Sequence, residues 1–280
     1  MDNLTNKVAV ITGGAEGIGK ALAAALAAQG MKLVLADINE GKLAETVAEL
    51  AASGVEVIGV KTDVAQSAQV ETLADAAFAK FGKVNLLINN AGVAVGKSAW
   101  EATEKDWEWV MGINLYGVTH ALRAFIPRML ASGEEGHIVN TASIAGLISV
   151  PSLSTYNVTK FGVVTLSEGL HHDLTLRGAN IGVSVLCPGW VNTRIAESER
   201  NRASQDRTDM TKLDKVSVKT NMAVMKAVQS GISPEEVARA TVDAVKNKQF
   251  YILTHPHTLK GVEVRMQDIL QNRAPTLLPV

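Results

Sequence analysis

Lys7-Val8-Ala9-Val10-Ile11-Thr12-Gly13-Gly14-Ala15-Glu16-Gly17-Ile18-Gly19 is the stretch that decides the fold. Its first half is apolar and mostly β-branched and reads as a buried strand over residues 7–12; the alanine-rich segment 17–29 reads as a helix. Between them the glycines fall as Gly-x-x-x-Gly-x-Gly. Missing β-carbons permit a tight turn there and let backbone N–H groups approach a pyrophosphate at the helix N-terminus. No Lys-Ser/Thr pair follows, so the motif is not a P-loop. A glycine-rich turn without a ligand is the alternative.

The same alternation runs outward along the chain. Strands are predicted over 32–36, 56–60, 84–89, 137–141, 181–186 and 250–253, and helices over 40–52, 68–81, 104–130, 154–177 and 234–246. The strands read as apolar on both faces, as parallel strands covered by helices do. The pattern predicts an α/β fold, a Rossmann-like doubly wound parallel β-sheet flanked by helices on both faces, in a single domain over 1–280. A hydrophobic content of 47% supports a sizeable core, and a formal net charge of -1 argues against nucleic acid or a membrane surface as partner. Cys187 is the one cysteine, which excludes an intramolecular disulfide. Neither a signal peptide nor an apolar run of about 18 residues is read, and a cytoplasmic location is expected.

Further candidates lie at the predicted strand ends. Asp37 follows Gly17 by 20 residues, where a carboxylate accepts from adenine-ribose hydroxyls and repels a 2′-phosphate. Ile38 follows it and the glycine turn holds no Arg, so NAD is favoured over NADP; capping the next helix is the other reading of Asp37. Asp63, followed by Val64, could bind the adenine amino group or cap a helix. Asn90, in Asn89-Asn90-Ala91-Gly92, could tie neighbouring strands or touch a cofactor, for which small Ala91 and Gly92 leave room. Asn114 falls within an apolar helix, where an interior amide needs a partner. Tyr156 and Lys160 are one helical turn apart, on one face. A cation beside a phenol favours phenolate and lowers its pKa, which suits a general acid/base for an alcohol proton.

Taken together, Thr12 to Gly19, Asp63, Asn89 to Gly92, Asn114, Ser143, Tyr156-x-x-x-Lys160 and Pro188-Gly189 stand in the order and spacing of one family. Over residues 7–250 the chain resembles the short-chain dehydrogenase/reductase family, in its standard-length branch. The resemblance implies an oxidoreductase with a nicotinamide cofactor. Tyr156 would be the acid/base, Lys160 would lower its pKa and hold the nicotinamide ribose, Ser143 would bind the substrate oxygen, and Asn114 would hold a proton-relaying water. Gly13, Gly17, Ile18 and Gly19 would form the pyrophosphate turn. Pro188, Gly189, Val191 and Thr193 would border the nicotinamide, with the Val191 backbone on its carboxamide. Standard-length members are often tetramers built through two long helices, so a homo-oligomer, dimer or tetramer, is expected. A catalytically silent dinucleotide-binding regulator, or a 3-oxoacyl- or hydroxysteroid-type reductase, are alternatives.

Departures concern the substrate end. After residue 253 the chain continues into a helical tail within 255–280 rather than a Gly-rich acidic end. Residues 197–219 are rich in charged and hydroxyl side chains with little periodicity, and read either as a solvated loop or as a lid, spanning 194–230, over a pocket. Expected substrate contacts are Val95, Ser143, Ala145, Tyr156 and Trp190, with Ala94, Leu147 and parts of 216–225 nearby; their apolar character favours an apolar or aromatic small molecule. No metal is expected: His255-Pro256-His257 resembles a metal clip but reads as a loop. Trp100, Trp107 and Trp109 are expected to serve core or oligomer packing.

Overall fold

The computed structural model describes residues 1–278, so the last two residues of the expected 255–280 tail lie outside the described residues. Seven parallel strands form one sheet among them: β1 Val8–Thr12, β2 Lys32–Asp37, β3 Val57–Lys61, β4 Leu86–Asn89, β5 Gly136–Thr141, β6 Ile181–Leu186 and β7 Tyr251–Ile252. Their order is β3-β2-β1-β4-β5-β6-β7. The connections contain α1 Gly17–Ala27, α2 Glu40–Ala52, α3 Ser67–Phe81, α4 Glu104–Met111, α5 Gly117–Ser132, α6 Ser154–Leu176, α7 Lys215–Gln229 and α8 Pro234–Lys246, and α9 Leu259–Leu270 closes the chain. This is the predicted Rossmann-like sheet.

Side-chain alternation divides the core in two. Val8 and Val10 of β1 point to one face with Val70 and Leu73 of α3, Phe125 of α5 and Val163 of α6. Ala9 and Ile11 point to the other with Leu22 and Leu26 of α1, Leu43 of α2 and Val237 and Val242 of α8. The central strands are buried throughout, but β3 lies at the sheet edge and is only partly covered, contrary to the expectation that every strand is apolar on both faces.

Two helical expectations are corrected. The predicted 104–130 helix is α4 and α5 joined by a π-helical turn, Gly112–Tyr116. A β-carbon on Gly117 would come within 2.8 Å of Val64 Cγ2, so this stretch lies close against the segment after β3. The second half of the 194–230 segment is α7, capped by Asp214, whose carboxylate accepts from the Val216 and Ser217 N–H groups. Its helical signal was weak because Val216 and Met222 point to solvent, 70% and 67% exposed, and break the apolar stripe.

β5 carries a buried histidine that the sequence did not flag. His137 is 1% exposed. Its Nε2 bonds the Ser184 hydroxyl at 2.7 Å, and that hydroxyl donates to the Gln249 carbonyl at 2.6 Å, so Nε2 carries the hydrogen. Gly182 makes room for the ring, since a β-carbon there would lie 2.4 Å from Nδ1. Burial pushes the imidazole pKa down to about 3. An unfolded chain takes up this proton below about pH 6.5 while the folded one refuses it, so stability is lost as pH falls below that value. We expect His137 to contribute about 2 kcal/mol to the loss of stability between pH 7 and pH 5. Urea unfolding of wild type and His137→Gln at both pH values checks this; equal losses in the two proteins would show that the buried ring is not the source.

Candidate active site

The sheet order reverses between β1 and β4, and there the connections leave toward opposite faces and open a crevice at the strand C-termini. A cleft of about 1070 Å³ occupies this position. That stands at the upper end of the few hundred to about 1,000 Å³ of a small-molecule pocket.

The glycine turn forms one wall. Gly13 and Gly17 have φ of 64° and 54°, left-handed conformations that favour glycine. Gly19 does not face the cleft, as expected for a cofactor contact, but lies behind the turn: a β-carbon on it would sit 1.9 Å from the Gly13 carbonyl. Its role is to let α1 close onto the turn. Asn90 completes the packing, donating from Nδ2 to the carbonyls of Thr12 and Gly13 at 3.0 and 3.1 Å, so it ties β1 to β4 while also lining the cleft. At the α1 N-terminus, Glu16 makes no side-chain cap and instead accepts from Arg200 at 2.9 Å, which leaves the first N–H groups of the helix open to an anion. A pyrophosphate therefore fits these residues.

Asp37 receives the Ala15 N–H at 3.1 Å and the Asn39 N–H at 2.9 Å. The cap of α2 is Asn39, not Asp37. Burial raises the Asp37 pKa, against the lowering effect of its backbone donors. Asp63 likewise caps no helix: its carboxylate accepts from Ala65 N–H at 3.0 Å. Ile18, Ile38, Val64, Ala91 and Gly92 line the same cleft, as do Pro188, Gly189, Val191 and Thr193 on the opposite wall. Val191 forms a parallel bridge with Ile232 that uses the Trp190 carbonyl and the Asn192 N–H. The Val191 N–H and carbonyl are thereby left outside that ladder.

Ser143, Tyr156 and Lys160 meet where the cleft floor lies over β5 and α6. Lys160 is 3% exposed, and its ammonium donates to the Thr141 carbonyl at 2.8 Å. It lies 5.5 Å from the Tyr156 ring centroid. The expected lowering of the phenol pKa is corrected by burial: Tyr156 is pushed up, with the Ser143 hydrogen bond opposing the shift, while burial pushes Lys160 down to about 8. Charge on either group is costly where water is scarce. The Asn114 amide does not line the cleft; it accepts from Val93 N–H at 2.8 Å and donates to the Val93 carbonyl and to Thr159 Oγ1. It therefore fixes the segment after β4 to the π-helical turn. A β-carbon on Gly92 would lie 3.5 Å from both Asn114 Oδ1 and Lys160 Nζ, so Gly92 runs beside both groups.

The substrate end departs more from expectation. Val95 is 2% exposed and packs with Val93 and Val110; Ala94 lines the cleft instead. Leu147 packs against the core. Ala145 and Trp190 line the cleft as predicted, and so does Trp109, with Arg202 stacked 5.0 Å over its ring. Within the 194–230 segment several of the charges are paired rather than free in solvent. Arg202 bonds buried Asp106, which Lys97 also holds at 2.7 Å. Arg194 reaches Glu197 at 2.7 Å, and Asn221 donates to the Gly96 carbonyl at 2.7 Å. Glu16 and Asp106 are 96 to 184 positions from their arginine partners, which is why sequence reading missed these pairs. Among the described residues no group of His, Cys, Asp and Glu could hold a metal, and no helix is long and apolar enough to cross a membrane.

A doubly wound sheet with a glycine turn, and a Ser/Tyr/Lys set on the opposite side of one cleft, define a dinucleotide-binding oxidoreductase. The model of the short chain dehydrogenase family matches residues 7–204, and the chain belongs to that family. A solved short chain dehydrogenase/reductase from Burkholderia phymatum, in complex with NAD, is 48% identical over the whole of both chains, with a TM-score of 0.96. A CLA biosynthesis dehydrogenase/reductase of Lactiplantibacillus plantarum is 36% identical over 98% of this chain and 97% of that protein. A C alpha-dehydrogenase of Sphingobium sp. is 33% identical over 98% of this chain and 89% of its own length. The family thus supplies an oxidoreductase that binds NAD or NADP, and the turn that would hold the dinucleotide allows a direct test. Gly19→Ala must push α1 off Gly13, so it should weaken NADH binding at least about tenfold and lower the melting temperature. Fluorescence titration with NADH checks it; unchanged affinity would mean that the close approach is not required.

Proposed function

We propose that the protein interconverts a secondary alcohol and a ketone with NAD as the preferred cofactor, and that its substrate is apolar or aromatic. One observation carries the reading: Tyr156 stands with Ser143 and Lys160 in the same cleft as the glycine turn, with the Lys160 ammonium 5.5 Å from its ring. When bound, the nicotinamide supplies the hydride chemistry. Ser143 holds the substrate oxygen. Tyr156, kept protonated at neutral pH by burial, donates to that oxygen in reduction and takes the alcohol proton in oxidation. Lys160 favours the phenolate through its charge, and a water beside Gly92 links it to Asn114. Val191 offers its backbone N–H and carbonyl to the carboxamide, and Thr193 borders it.

For the substrate, Trp109, Ile113, Ala145, Val150 and Leu153 make the nearby wall mostly apolar. Residues 194–230 act as a lid: Arg200 and Arg202 fasten it to the glycine turn and to α4. We place the molecule in a homo-oligomer through α5, α6 and the π-helical turn, where Tyr116 and Val158 are 51% and 49% exposed. The intact Ser/Tyr/Lys set weighs against the silent-regulator reading.

The preference for NAD rests on the Asp37 carboxylate, which a 2′-phosphate would approach against its charge. Arg200 reaches toward Ile38 and Asn39 at the same end, but Glu16 neutralises it. Two results are expected. Tyr156→Phe removes turnover of a secondary-alcohol panel by about a thousandfold or more while NADH affinity stays within a few-fold of wild type; a variant that keeps its rate would overturn the role of Tyr156. Asp37→Ala shifts the ratio of kcat/KM for NADP over NAD upward by about tenfold, and a wild-type preference for NADP would overturn the cofactor assignment.

A further inference from the structure

His255 opens the C-terminal tail and is 6% exposed. Its ring touches the turn after β6 at two consecutive residues. Gly189 N–H donates to Nδ1 at 3.0 Å, and Nε2 bonds the Trp190 carbonyl at 3.0 Å. A backbone N–H only donates and a carbonyl only accepts, so Nδ1 must be bare and Nε2 must carry the hydrogen. The Thr254 hydroxyl, 2.8 Å from Nδ1, is a second donor to the same nitrogen. The fit is close: a β-carbon on Gly189 would lie 2.8 Å from His255 Cγ, so glycine is what lets the ring reach the backbone. Burial lowers the pKa of the ring and keeps it neutral, in agreement with a nitrogen that must accept.

The turn has other fastenings. Ile144 N–H donates to the Pro188 carbonyl at 2.8 Å, Ile232 N–H donates to the Trp190 carbonyl at 3.1 Å, and Asn192 N–H donates to the Ile232 carbonyl at 2.9 Å. Between these fastenings the Gly189 N–H takes its acceptor from His255, and the Trp190 carbonyl is shared between His255 and Ile232. We infer that His255 is a positioning residue for the nicotinamide end of the site: its neutral, Nε2-protonated imidazole sets the path of Gly189 and Trp190 and so aims the Val191 backbone into the cleft. The inference rests on the proposed function, in which that backbone meets the carboxamide.

ADP-ribose, which lacks the nicotinamide, separates positioning from general support of the fold. In the full-length protein His255→Phe keeps an aromatic ring but neither nitrogen. It should weaken NADH binding by about tenfold while ADP-ribose binding stays within twofold of wild type. His255→Asn, whose Oδ1 can stand where Nδ1 stood and accept from Gly189, should recover part of the loss. It carries the comparison with wild type alone if the phenyl variant does not fold. Nitrogen-15 NMR of histidine-labelled wild type without cofactor should show one ring with Nδ1 bare and Nε2 protonated at neutral pH. Equal weakening for both ligands, no weakening for either, no recovery in the Asn variant, or a ring protonated on Nδ1 would each overturn the inference. Failure of the underlying reading looks different: wild type itself would then bind NADH no more tightly than ADP-ribose.

Discussion

A parallel sheet cannot return on itself without a crossover, and this chain makes its crossovers on one side of β1 until β3 and on the other side from β4 onward. That reversal fixes where backbone can be spared from helix packing. Only between β1 and β4 do neighbouring strand ends send their connections apart, and every group in the candidate site is hung from that gap. Thr12 at the end of β1 receives the N–H groups of Asn90 and Ala91 on its hydroxyl, at 3.0 and 3.2 Å, so the two lips of the crevice are joined below the ligand-facing surface. The glycine turn and the Gly92 segment can then stay free of side chains above it.

The consequences reach the far wall through α6. Its first turn brings Tyr156 to the cleft, and Lys160, one turn on, passes beneath toward the end of β5. Gly146 is the residue that permits this, since a β-carbon there would lie 2.5 Å from the Lys160 carbonyl. Ser143, at the end of β5, is held extended and accepts from Ala145 N–H at 3.1 Å. The three side chains thus come from two elements whose separation is set by one missing β-carbon.

Much of this was legible in the sequence because it is local. The strand–turn–helix around Gly13 to Gly19 combines a two-residue with a 3.6-residue pattern, and Tyr156 and Lys160 share a helix, so spacing alone relates them. What escaped was long-range. The role of Gly19 is to admit Gly13 rather than a ligand, a distinction that depends on the angle at which α1 leaves β1. Val95 and Ala94 differ only in the facing of an irregular segment, which no periodicity fixes. His255 looked like part of a metal clip, but its partners are backbone groups 65 and 66 positions earlier. The charged 197–219 stretch read as solvated because Asp106 and Glu16, which neutralise it, lie in other parts of the chain.

The same long-range pairing bears on how the 194–230 segment is held. Asp106 is 0% exposed and Arg202 7%, so neither charge is solvated, and Lys97 on Asp106 and Glu199 on Arg202 complete a largely buried network. Breaking such a network costs more than separating an exposed pair, because water does not reach the separated charges. The Arg200 and Arg194 contacts with Glu16 are of another kind: these side chains are 27%, 52% and 28% exposed, and water can replace each partner. The segment is therefore anchored firmly where it meets α4 and loosely where it meets the glycine turn. On the proposed lid reading, the expected opening starts at the glycine-turn end while the Arg202–Asp106 contact holds beside Trp109.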